Sequence, residues 1–185
     1  MTSSKSILSQ LADIVLKALT SRTPRFPEKE AGRSRASVAV PTGGDAGQAR
    51  GSETVRIDPE RITDLQVGYS PEKDGAPDSG EIIWTWVPFE ENDGRGKDRP
   101  VLVIGRHSAD RVYAVRMTSK PHDRDRDYLS IGTGAWDSQG RASWVDIELL
   151  YSVHEGGMRR EAAVLESARY DRVAAALIAR YGWGR

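Results

Sequence analysis

Nine basic side chains fall between Gly94 and Arg126: Arg95, Lys97, Arg99, Arg106, Arg111, Arg116, Lys120, Arg124 and Arg126. Only four acidic ones share that window, Asp98, Asp110, Asp123 and Asp125, which leaves it at net +5. The whole chain of 185 residues is neutral, with 27 Lys and Arg against 27 Asp and Glu. The window is therefore a local candidate for anion binding, not one part of a general basic field. Strand alternation over 111–118 puts Tyr113, Val115 and Met117 on one face and Arg116 with Thr118 on the other. Two strand rises set that guanidinium and hydroxyl about 6–7 Å apart, a pairing that suits a phosphodiester. A solvent-facing strand that is polar for no further reason gives the same pattern, and the spacing leaves both open.

Other chemistries lose their support. The chain has no cysteine, so thiol nucleophiles, disulfides and cysteine-ligated zinc are excluded. His107, His122 and His154 lack the spacing of a catalytic metal site and read as surface or loop residues, so neither metal nor cofactor is expected. The run Asp123-Arg124-Asp125-Arg126-Asp127 begins like a calcium loop but lacks the sixth-position glycine and the twelfth-position glutamate. Gly94-Arg95-Gly96-Lys97-Asp98 has no Ser or Thr after the lysine, which rules out a phosphate loop, and no GxSxG elbow occurs.

Three unequal pieces position these residues. Ile7, Leu8, Leu11, Ile14, Val15 and Leu19 recur at helical spacing and predict an amphipathic helix within residues 1–20. Gln10, Asp13 and Lys17 interrupt that stretch, so it is neither a secretory segment nor a membrane span, and the cytoplasm is the expected location. Residues 21–55, rich in Arg, Pro, Ser and Gly, read as a disordered linker. From residue 56 to 185 short Val-, Ile- and Trp-rich runs alternate with turn clusters, the texture of a small, mainly β domain. Strands are predicted over 81–88, 100–105, 111–118, 127–131, 143–147 and 149–153, then a C-terminal helix over 167–181 capped by Ser167. Trp84 and Trp86 are expected in the core, and Trp136, in a loop, is the candidate to stack on a base.

Four segments in this order resemble the PemK/MazF family of toxin endoribonucleases: Gly80-Glu81-Ile82-Ile83-Trp84, Arg99-Pro100-Val101-Leu102-Val103-Ile104, Val115-Arg116-Met117-Thr118-Ser119, and Ser143 through Val153. The resemblance covers residues 80–185. It implies a small SH3-like barrel with a C-terminal helix, preceded here by a flexible N-terminal extension. It also implies metal-independent cleavage of single-stranded RNA by a homodimer that an antitoxin protein restrains. By the same resemblance Arg99, Thr118 and Ser119 carry catalysis. A guanidinium is a poor free base, so Arg99 would stabilise charge on the phosphorane. Arg95, Lys97, Arg116, Lys120 and Trp136 are the expected RNA contacts.

The chain departs from the family where the loop before Arg99 holds no histidine or glutamine, and where Leu149 and Tyr151 replace a glutamine and an arginine. Glu148 falls on the family's acidic position and is left outside the expected site. Two rival readings stand beside the enzyme: a catalytically idle barrel that binds nucleic acid, and an interaction protein whose N-terminal helix recruits a partner while the barrel serves as scaffold.

Overall fold

A computed structural model describes residues 51–185, apart from Lys73, Gly75 and Asn92 and the side chains of residues 160–162. The expected helix within residues 1–20 and the linker up to residue 50 lie outside the described residues. Seven strands follow in order: β1 (Val55–Ile57), β2 (Glu81–Pro88), β3 (Gly96–Arg106), β4 (Arg111–Thr118), β5 (Tyr128–Gly132), β6 (Ser143–His154) and β7 (Met158–Val164). One helix, α1 (Ser167–Tyr181), closes the chain. All strands pair antiparallel in the order β1-β6-β4-β3-β2-β7, with β5 added along β6.

The central strands are apolar on both faces because both are covered, which is why they read as continuous runs such as Val101-Leu102-Val103-Ile104. On one face Leu102, Ile104, Val115, Met117 and Leu150 pack with Tyr170, Val173 and Leu177 of α1. On the other, Ile83, Val87, Val101, Val103, Ala114 and Tyr151 form a second cluster. The sheet curls so that the Thr54 and Thr85 hydroxyls meet at 3.1 Å, and Thr85 donates to the Gly157 carbonyl. That contact brings the entry of β1 onto β2 from across the sheet and gives the barrel its closure.

Several expectations shift in detail. The two runs 143–147 and 149–153 are one strand, β6, interrupted by an irregularity in its pairing with β4 between Val115 and Met117. β3 starts at Gly96, so Lys97 and Arg99 ride on a strand and not in a loop. Residues 51–55, the end of the expected linker, are tied down: Arg111 donates to the carbonyls of Gly51 and Glu53, and Ser52 and Thr54 are buried. The fixed carbonyls compensate for sparse apolar content there. Glu166, not Ser167, stands at the N-cap of α1 and makes no side-chain cap bond. Gly182 ends that helix at φ 72°, a left-handed conformation that glycine adopts without a Cβ penalty.

β5 is an edge strand, and α1 guards its open side. Arg169 donates to the carbonyls of Ile131 and Thr133, Arg172 donates to that of Ser130, and Arg180 pairs with Asp127. Guanidinium groups thus occupy acceptors that a foreign strand would otherwise use. No helix among the described residues is long and apolar enough to cross a membrane.

Tyr170 joins this helix to the sheet through its hydroxyl, which donates to the carbonyls of Gly68 and Ile104 at 2.9 and 3.3 Å. Burial pushes its phenol above the ordinary tyrosine range. Tyr170→Phe leaves both buried acceptors short of a donor and is expected to cost about 1–3 kcal/mol in urea unfolding. An unchanged midpoint would show that neither bond matters.

Candidate active site

Arg99 pairs across the β2–β3 ladder with Thr85, whose side chain is buried at the barrel mouth. The guanidinium stands half-buried at the rim with no hydrogen bond or ion pair among the described residues. Burial, and then repulsion from Arg116, lower its pKa below the ordinary arginine value. Arg99 lines two hollows at once. One is a cleft of about 180 Å³ that also takes in Lys97, Thr118, Ser119, Trp84 and Trp136. The other is a shallower basin of about 450 Å³ shared with Phe89, Glu90, Glu91, Arg95 and Arg116.

The structure therefore brings Arg99, Thr118, Ser119 and Lys97 to one cleft. Thr118 Oγ1 accepts from the Lys120 backbone N–H at 3.1 Å, which leaves its own O–H directed elsewhere. The Lys120 side chain is exposed beside them. Arg95 is exposed at the basin, held by Asp93 through Nε at 2.7 Å and placed 5.9 Å over the Phe89 ring.

Two expected RNA contacts are placed differently. Arg116 is not a free phosphate ligand: its Nη2 donates to Asp146 Oδ2 at 2.6 Å, Tyr128 Oη at 3.1 Å and Glu90 Oε1 at 3.3 Å. Only 12% of its side chain is exposed. Burial works against its charge, but Tyr151, Asp146 and Tyr128 outweigh it and raise the pKa above the ordinary value. Trp136 is not a loose stacking platform either. It is 7% exposed, its Nε1–H donates to Ser143 Oγ at 3.0 Å, and the ring lies so tightly on Gly134 that no Cβ fits there. It is a fixed wall of the cleft. Trp84, expected in the core, is half-buried and forms another wall, while Trp86 flanks a separate groove beside β1.

Asp146 was the residue that sequence patterning passed over. Its carboxylate is 1% exposed, and Oδ1 accepts the backbone N–H groups of Glu148 and Leu149 at 3.0 and 3.2 Å. One carboxylate thus caps the break in β6 and holds Arg116. Glu148, on the family's acidic position, is exposed instead. The signal was present: a lone carboxylate inside the apolar run Trp144-Val145-Asp146-Ile147 demands a buried partner. The histidines sit apart from the cleft, His107 at Ser152, His154 at Asp110 and His122 stacked on Tyr128. No group of three or more His, Asp or Glu among the described residues is placed to hold a metal.

Residues 78–180, more than half of the chain, match the family described as PemK-like, MazF-like toxin of type II toxin-antitoxin system. The chain belongs to that family. Among solved structures it is similar to a MazE-MazF complex from Deinococcus radiodurans, at 20% identity and TM-score 0.44, over 57% of this chain and 96% of that one. It is also similar to an endoribonuclease in complex with its cognate antitoxin from a mycobacterial species, at 18% identity and TM-score 0.43, over 58% and 96% of the two chains. No curated protein sequence matches it.

The Asp146 arrangement makes a stability prediction. Asp146→Ala strands the Arg116 charge and uncaps β6, and is expected to remove about 3–5 kcal/mol in chemical unfolding. Asp146→Asn keeps an acceptor for the two N–H groups and should cost less. Equal stability of all three proteins would refute the role given to this carboxylate.

Proposed function

We propose that this chain is an endoribonuclease that cleaves single-stranded RNA without a metal, with Arg99 and Thr118 at its centre. The observation that carries the reading is Arg99: a half-buried guanidinium, unpaired among the described residues, at the junction of two hollows and beside the Thr118 hydroxyl. A cation in that state is poised to meet an anion that the protein itself does not supply.

In the reaction the RNA's own 2′-oxygen attacks the adjacent phosphorus as the 2′-hydroxyl proton passes to water. The bond to the 5′-oxygen breaks, giving a 2′,3′-cyclic phosphate and a 5′-hydroxyl. Arg99 stabilises the charge that gathers on the non-bridging oxygens. Its lowered pKa, set by burial and Arg116, moves it toward donating a proton to the departing 5′-oxygen. Thr118 and Ser119 donate hydrogen bonds to the same phosphate. Lys120 and Arg95 hold flanking phosphates, Lys97 faces the cleft beside Arg99, and Arg116 acts as a fixed charge behind them.

By family, an antitoxin protein and a second copy of the chain are the expected partners, and the cytoplasm is the expected location. The rival is the same barrel as an idle RNA-binding module. It is favoured by the Glu90 carboxylate on Arg116 and by a Phe89–Arg95 loop without histidine or glutamine.

Incubation of the purified chain with a long unstructured RNA in EDTA separates the two. Cleavage to 2′,3′-cyclic phosphate ends is expected, and Arg99→Ala should slow it by roughly 10²–10³-fold, the usual cost of removing a charge-stabilising donor. Uncut RNA that is retained in a salt-dependent gel shift would establish the binding module instead.

A further inference from the structure

The cleft beside Arg99 has a composition that a phosphate site alone does not require. Two indoles, Trp84 and Trp136, wall it, and Met117 contributes to its lining. Its volume of about 180 Å³ equals the liquid share of about six waters. That suits one heterocyclic base and is too small for a whole nucleotide. The walls are rigid, because Trp136 is pinned between Gly134 and Ser143.

The polar groups around the cleft divide unevenly. Both carboxylates there are engaged within the protein. Asp98 accepts from Arg159 at 2.7 Å. Asp137 accepts from the Gln139 N–H and from Arg141 Nε, each at 2.8 Å. The donors are less occupied. Lys97 has no hydrogen bond or ion pair among the described residues, and Arg141 offers its terminal N–H groups while Nε is held by Asp137. The Trp84 indole offers the cleft its ring and not its Nε1–H, which is buried. A ligand seated here meets a surplus of donors and therefore needs acceptors.

We propose that this cleft seats the nucleobase next to the scissile phosphate and selects bases with exocyclic carbonyl groups, uracil or guanine. Uracil offers O2 and O4, and guanine offers O6 with N7. On the edge where guanine shows O6 and N7, adenine pairs N7 with an amino group, a donor that Lys97 and the terminal N–H groups of Arg141 cannot accept. Cytosine offers one carbonyl and one amino group and ranks between them. Stacking against the indole walls supplies base affinity without sequence preference, and Arg141 and Lys97 supply the preference. The inference rests on the nuclease reading only for which base lies beside the cut.

The test uses the full chain and short 2′-O-methyl RNAs, which cannot be cleaved by 2′-oxygen attack, differing in one base: U, G, A or C. Fluorescence anisotropy should show U or G bound about tenfold or more tighter than A, the discrimination expected of good base-edge contacts. Arg141→Ala removes an exposed side chain, 54% accessible, and Lys97→Ala another, so neither threatens the fold. In each variant the ratio of U or G to A should fall by severalfold. Equal binding of all four bases, a preference for A, or an unchanged ratio in both variants would overturn the proposal. Base preference without cleavage of ordinary RNA would sink the nuclease reading and leave the pocket standing. Cleavage without base preference would do the reverse.

Discussion

The ion pair between Arg116 and Asp146 is the contact on which the candidate site depends. A carboxylate that is 1% exposed is tolerable only if its charge is met and its lone pairs are used. Arg116 meets the charge, and the N–H groups of Glu148 and Leu149 use the other oxygen. The pair thereby links two unlike features. It stabilises an irregularity that changes which side chains of β6 face which cluster: Val145 and Ile147 join one, Leu149 and Tyr151 the other. It also fixes a guanidinium at the floor of the basin that Arg99 shares.

Two arginines on neighbouring strands consequently have opposite characters. Arg116 is surrounded by Asp146, Tyr128 and Glu90, and its charge is held more firmly than usual. Arg99 has no hydrogen-bonded or ion-paired partner among the described residues, is partly desolvated, and feels Arg116 as a like charge. The anchored cation thus makes the free one less stable in the absence of an anion. Such an arrangement concentrates the demand for negative charge at one point, between the cleft and the basin.

Much of the fold was legible because periodicity was clean. Glu81–Pro88, Arg111–Thr118 and Ser167–Tyr181 are bounded by turn residues and carry unmistakable alternation or helical spacing. β1 and β7 were not legible, since Val55–Ile57 is three residues long and Met158–Val164 carries charges mid-strand. Their strand character comes from partners, β6 and β2, and not from local preference. At the candidate site, Arg99, Thr118 and Ser119 were singled out by family resemblance and line one cleft, whereas the surroundings of Arg116 and Trp136 needed three dimensions. Alternation shows that Arg116 shares a face with Thr118, but not that a carboxylate thirty residues later occupies it.

The same point revises the meaning of the +5 window. Charge counted along a sequence treats every lysine and arginine as available, yet folding assigns many of them to the protein itself. Arg106 serves Asp78 and Glu155, Arg111 clamps the carbonyls that hold the entry to β1, Arg95 pairs with Asp93, and Arg116 is bound to Asp146. What remains near the cleft is a small set: Lys97, Arg99 and Lys120. Under the proposed reading, recognition rests on fitted contacts around Arg99, where the indoles and the unengaged donors lie.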